Sequence, residues 1–233
     1  MFCRRVLLVC LLLFLFYLNI LTMDQIAKSL LQIGAVKLSP DTPFTWASGW
    51  KSPIYTNNRK ILAYPLKRRI VAGKLISFVE EFGEVDIILS VATGAIAWGA
   101  LVADELLLPC GYVRSEAKDH GLKTQIEGFE PNQLKGKKVV IIEDLISTGG
   151  SSLKAVEVAR EVGAEVVGMV AIFTYQFPQA EEAFDKAGVV LRTVTNYTNL
   201  LEAALDVGLL KESDMLWLSE WREAPEIWGQ YQN

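Results

Sequence analysis

Lys137-Lys138-Val139-Val140-Ile141-Ile142-Glu143-Asp144-Leu145-Ile146-Ser147-Thr148-Gly149-Gly150-Ser151-Ser152 is the stretch that decides how this chain folds. Four consecutive β-branched residues, Val139 to Ile142, suit a strand buried on both faces, as in a parallel sheet flanked by helices. Two acids follow at the strand's carboxyl end, then a loop of small residues, then a helical run from Ser152 to Val162 closed by Gly163. Open α/β sheets bind ligands beyond the carboxyl ends of their strands. Gly149 and Gly150 allow a tight turn and a close approach of backbone to ligand. Ser147, Thr148, Ser151 and Ser152 add hydroxyls, and the first free N–H groups of the helix favour a phosphate at the same spot. No Lys follows the glycines, so the loop lacks the G-K-[ST] ending of triphosphate-binding loops, and a phosphate monoester is expected. Glu143 and Asp144, leaving a buried strand, suit hydroxyl groups or a hydrated Mg²⁺. A sugar phosphate satisfies both halves; an ordinary βα turn with surface acids is the plain alternative.

The run from Glu143 through Asp144, Leu145, Ile146, Ser147, Thr148, Gly149 and Gly150 to Ser151 resembles the phosphoribosyl pyrophosphate (PRPP) motif of type I phosphoribosyltransferases. That motif alone leaves open adenine, hypoxanthine, uracil, xanthine and orotate enzymes, and regulators built on the same fold.

Composition narrows the classes. At 233 residues the chain suits one α/β domain with small additions. The net charge is −4 and the 23 basic residues are scattered, so no basic face for nucleic acid is expected. Cys3, Cys10 and Cys110 form neither a disulfide framework nor a metal-ligand spacing, and a single histidine argues against zinc. These features fit a reducing, cytoplasmic setting, and no resident protein-held metal is expected.

Residues 1–22 stand apart. Arg4-Arg5 precedes an apolar run from Val6 to Leu21 interrupted by Asn19. It is short for a spanning helix, which takes about 20 apolar residues, and no A-x-A-like cleavage site follows. Three readings are open: a short anchor, a signal peptide, or an extension ahead of the true start, because Met23 opens a capped amphipathic run at Asp24. The last is the expectation adopted, with 23–233 as the catalytic domain and membrane association expected only if residues 1–22 are real.

Beyond that run, Phe44 to Tyr55 alternates aromatics with turn residues and places Lys51 between Trp50 and Ser52, as a lid or an ordinary hairpin would. A helix over 65–82 leads to a strand over 85–90 and a second small-residue loop, Val91-Ala92-Thr93-Gly94-Ala95-Ile96, which could receive a second anion through its backbone. A strand over 110–113 ends in Arg114-Ser115-Glu116-Ala117-Lys118-Asp119-His120-Gly121, a long polar loop of the kind that is more often functional than not. Its cations suit the growing charge of a leaving pyrophosphate, although a solvated charged loop has the same composition. Strands are expected over 165–174 and 189–194, with helices over 178–187 and 200–207. Trp217, Trp221 and Trp228 fall at near-helical spacing and are read as packing or dimer-contact residues.

Two of these segments sharpen the resemblance. Ser48 to Tyr55 is similar to the S-G-x-K-S-P-x-[YF] segment of orotate phosphoribosyltransferases. Arg114, Lys118, His120 and Gly121 match their R-x-x-x-K-x-H-G loop, with Ser115 where many members carry a second Lys. The resemblance spans 23–233. It implies a type I phosphoribosyltransferase fold, a mostly parallel sheet flanked by helices with a small N-terminal hood. It further implies Mg²⁺-dependent transfer of ribose 5-phosphate from PRPP to orotate in pyrimidine synthesis. PRPP would contact Lys51, Arg114, Lys118, His120 and 143–151, with Lys118, His120 and Asp144 catalytic and Ser147 against orotate. A homodimer with shared active sites is implied, because the family's loop reaches into the neighbouring subunit. Some members grip orotate with an Arg after the strand that follows the PRPP helix; Thr174-Tyr175-Gln176-Phe177 holds none.

Overall fold

Helix α1 (Met23–Gln32) opens the part of the chain described by the computed structural model, which covers residues 23–39, 42–46, 48–116 and 125–228. It buries Ile26, Ala27 and Leu30. Short antiparallel pairs follow: β1 (Val36–Leu38) with β4 (Ile54–Thr56), and between them β2 (Phe44–Thr45) with β3 (Lys51–Ser52). These two ribbons form the hood. A 3₁₀ turn (Asn58–Ala63) leads into α2 (Pro65–Glu80), where Pro65 occupies the first turn and loses no intrahelical bond by lacking an N–H.

The main body is β5 (Ile87–Val91), α3 (Ile96–Leu106), β6 (Cys110–Val113), β7 (Ile126–Glu127), α4 (Pro131–Leu134), β8 (Lys138–Ile146), α5 (Gly150–Glu161), β9 (Glu165–Thr174), α6 (Pro178–Ala187) and β10 (Leu191–Asn196). Helices α7 (Tyr197–Asp206) and α8 (Met215–Glu223) close the described chain. The six-stranded sheet runs in the order β10-β9-β8-β5-β6-β7 and is parallel except where the short β7 pairs with β6. From β5 the chain steps outward to β6; from β8 it steps the other way to β9 and β10. Right-handed crossovers in opposite directions put their helices on opposite faces, α2 and α3 on one, α5 and α6 on the other.

Both faces of the central strands are therefore covered, and Val139, Val140, Ile141 and Ile142 are fully buried, as their pattern predicts. The strand does not stop at Ile142, however. Its ladder to β9 continues through Glu143 opposite Ala171, Leu145 opposite Phe173 and Ile146 opposite Thr174, so the acid pair lies inside the strand. Pairing with a long neighbour, not side-chain polarity, sets the strand's end. Strand β10 and helix α7 also begin elsewhere than expected, at Leu191 and Tyr197. There Asn196 caps α7 by accepting the Asn199 N–H at 2.9 Å.

The aromatics of the chain converge beneath the hood. Trp221 is fully buried and meets Trp46, Tyr175, Phe177 and Tyr197 with ring centroids 5.2 to 5.8 Å apart. Its indole N–H donates to the Lys51 carbonyl at 3.2 Å, tying α8 to the hood. Trp217 and Trp228 stack on one another at 5.8 Å. Residues 1–22 lie outside the described residues. Among the described residues no helix is long and apolar enough to cross a membrane.

Candidate active site

The strand order reverses between β5 and β8, and the loops after these two strands diverge to opposite sides of the sheet. Such a switch point leaves a crevice at the carboxyl ends of the strands, where ligands bind in open α/β sheets. Both small-residue loops named from the sequence border this crevice.

On the β8 side, Gly149 takes a left-handed conformation at φ 83° and caps α5, which begins at Gly150. The first main-chain bond into the helix joins the Leu153 N–H to the Gly149 carbonyl at 2.8 Å. The N–H groups of Gly150, Ser151 and Ser152 thus belong to the open first turn, where they present partial positive charge to an anion. Ser147 is half-buried, while Thr148 and Ser151 are exposed. Leu145 and Ile146 are ladder residues whose part is to aim the loop.

The two acids differ sharply. Glu143 is 4% exposed, and both its oxygens are engaged: Oε1 accepts the Asp144 N–H at 2.8 Å and Oε2 the Ser152 hydroxyl at 3.0 Å. Burial, reinforced by the neighbouring Asp144 charge, pushes its carboxyl up to about 8. Glu143 is therefore largely a protonated brace joining the strand to α5 at neutral pH. Asp144 faces the crevice. A Cβ built on Gly94 would collide with its carboxyl group, so any side chain at this position would push the Asp144 carboxyl group out of its place. Across the crevice, Asn58 donates its amide N–H to the Asp144 carbonyl at 2.6 Å, and the Arg59 guanidinium lies 3.9 Å from Oδ2. Asn58, Arg59 and Gly94 were not singled out from the sequence. Their proximity to Asp144 is a long-range feature that a local pattern does not carry.

At the far side, the Arg114 guanidinium sits 3.3 Å from Glu127 Oε1. The amide of Gln125 donates to the carbonyls of Arg114 and Ser115, and the Lys154 ammonium to that of Ser115 at 3.0 Å. These contacts root both ends of the polar loop. Lys118 and His120, which the sequence nominates as catalytic, lie outside the described residues. Lys51 is exposed on β3, its ammonium donating to the Thr45 hydroxyl at 2.9 Å.

The donor set bears on Mg²⁺. Among the described residues no group of three or more His, Cys, Asp or Glu side chains could hold a metal. Mg²⁺ keeps several waters and takes one or two carboxylates plus substrate oxygens, and Asp144 is the available carboxylate. The site fits a metal that arrives with a polyanionic substrate.

Comparison with known proteins agrees with this geometry. A family model described as the phosphoribosyl transferase domain matches residues 58–203. Proteins named orotate phosphoribosyltransferase are similar to this chain in Porphyromonas gingivalis, at 54% identity over 88% of this chain and 96% of that one. The Bacteroides fragilis protein of that name is 57% identical over 87% and 94%. Among solved structures, the Aeropyrum pernix orotate phosphoribosyltransferase superposes with a TM-score of 0.67 at 31% identity, covering 79% of this chain and 99% of that one. The Leishmania donovani UMP synthase gives 0.70 at 29% identity, covering 85% of this chain and 42% of its own.

Proposed function

The chain belongs to the phosphoribosyltransferase family, and within it to the orotate enzymes, and from that premise we propose how its residues divide the work of joining orotate to PRPP. The observation that carries the proposal is Asp144 packed against Gly94 at the point where the strand order reverses.

The sugar's 5′-phosphate seats in the loop of Ser147, Thr148, Gly149, Gly150 and Ser151 on the open turn of α5. Asp144 accepts the ribose hydroxyls, held by Glu143 beneath it and by Asn58 across the crevice. The pyrophosphate lies against the backbone of the loop after β5, within reach of Arg114 and Lys51. Bound Mg²⁺ would be held by Asp144 with substrate oxygens and would offset the negative charge of the pyrophosphate. As the bond from the sugar's C1 to pyrophosphate lengthens, positive charge grows on the sugar and negative charge on the leaving group. Arg114, Lys118 and His120 stabilise the latter, and fixed cations in a site closed to water do so far better than solvent can. Orotate nitrogen completes the bond to C1, giving orotidine 5′-phosphate and pyrophosphate, with the hood aromatics and Ser147 flanking the base.

A homodimer with shared sites is part of this reading, supported by the resemblance of the loop. So is a cytoplasmic setting, supported by the exposed, unpaired Cys110 thiol. The test is the PRPP-dependent loss of orotate absorbance, with and without a chelator. Turnover should require divalent metal. Gly94→Ala should lower kcat/KM about 100-fold, the usual order for displacing a catalytic group by about 1 Å. A Gly94→Ala enzyme within twofold of the parent would place the chemistry elsewhere.

A further inference from the structure

Orotate enters the reaction as an anion. Its carboxylate stands on the carbon next to the nitrogen that attacks C1 of the sugar. A cation that recognises this carboxylate must therefore lie close to C1, on the same side of the crevice as the acid that holds the ribose hydroxyls. The end of β9 offers no such cation: residues 174–177 are Thr, Tyr, Gln and Phe. Tyr175 and Phe177 are buried in the aromatic cluster, and the side-chain Oε1 of Gln176 accepts both the N–H and the hydroxyl of Thr198.

We propose that Arg59, set beside Asp144 by the buried Asn58, is the residue that selects the substrate carboxylate. The statement rests on the orotate reading above and deepens it. Three observations carry it. First, the guanidinium is at the right place, 3.9 Å from Asp144 Oδ2. Secondly, it is free to bind: its side chain is 62% exposed, the contact to Asp144 is longer than a hydrogen bond, and no hydrogen bond to it is found among the described residues. A guanidinium offers five donors in a fork that matches a carboxylate. Thirdly, it is rooted. Asn58 is 2% exposed and bonded at 2.6 Å to the Asp144 carbonyl, so the backbone that carries Arg59 is pinned to the acid it serves. Among the described residues, the other cations near the crevice are engaged elsewhere: Arg114 with Glu127, Lys154 with the Ser115 carbonyl, and Lys51 with Thr45 in the hood. The weak contact with Asp144 leaves the guanidinium able to swing to an incoming anion while partly offsetting the Asp144 charge in the empty site.

The experiment compares the parent, Arg59→Gln and Arg59→Lys, measuring KM for orotate and for PRPP separately, and kcat/KM for orotate against uracil, which lacks the carboxylate. Thermal melting should be unchanged, because the side chain is largely exposed. Arg59→Gln should raise KM for orotate about 10- to 100-fold, the range for losing a charge-assisted bidentate contact. KM for PRPP should stay within about twofold, and the preference for orotate over uracil should fall in the same proportion as orotate KM rises. Arg59→Lys should recover part of the loss, having the charge without the fork. An unchanged KM for orotate, or a rise confined to PRPP, would overturn the proposal and assign Arg59 to the pyrophosphate or to charge balance. Failure of the parent itself to turn over orotate would sink the reading beneath it, an outcome distinct from either.

Discussion

Glu143 shows how the same side chain reads differently in sequence and in place. Beside Asp144 it looks like half of a matched pair, but the fold buries it and saturates both its oxygens, leaving Asp144 to face the crevice. A buried carboxyl raised to about 8 makes stability depend on pH in a definite direction. In the unfolded chain the group loses its proton near its ordinary value of 4.5, while the folded chain keeps it. The folded form thus binds more protons through this window, and stability falls as pH rises from about 5 to about 8. In metal-free, substrate-free protein, Glu143→Gln should flatten that fall, because a Gln carbonyl still accepts the Asp144 N–H and its amide can donate to the Ser152 hydroxyl. Melting temperatures across this range provide the measurement; parallel slopes in parent and variant would contradict the burial argument. The acid pair and the small-residue loop that opens α5 were legible in the sequence because residue type and order alone mark them. Asn58, Arg59 and Gly94 were not, since Asn58 reaches Asp144 across 86 positions and the need for glycine at 94 exists only once the two loops meet.

Among the elements, the central strand was legible from its apolar run, but its end was not. Polarity at Glu143 suggests a boundary, whereas the partner strand β9 runs on and carries β8 to Ile146. Helix α8 behaves similarly: Trp spacing foretold packing but not the partner. Trp221 fills the space between hood and sheet and donates to the Lys51 carbonyl. Trp221→Ala should cost about 3–5 kcal/mol, the usual range for emptying such a site. Trp221→Phe keeps most of the ring contacts and removes the indole N–H, so it should cost about 1 kcal/mol. Because Lys51 belongs to the proposed PRPP site, Trp221→Phe should also raise KM for PRPP while leaving KM for orotate near the parent value. Urea unfolding and steady-state kinetics together check this; a stability loss with no change in PRPP binding would mean the latch does not set Lys51.

For the molecule as a whole, the proposed sharing of active sites makes a prediction that no single chain can satisfy. In a dimer where each loop serves the neighbouring crevice, Lys118→Ala and Asp144→Asn disable different halves of a site. Each variant alone should be inactive. Subunits mixed and allowed to exchange should regain about one quarter of parental activity, since about half the dimers are mixed and each then holds one intact site. No recovery on mixing would place the loop over its own subunit's crevice. The aromatic latch has a consequence for synthesis as well. The hood leaves the ribosome early, and its fastening residue, Trp221, is 170 positions behind Lys51. A nascent chain therefore leaves Trp46, Tyr175 and Phe177 without their Trp221 contacts until α8 emerges, and during that interval the unfinished chain offers chaperones a sticky aromatic surface and leaves Lys51 unlatched.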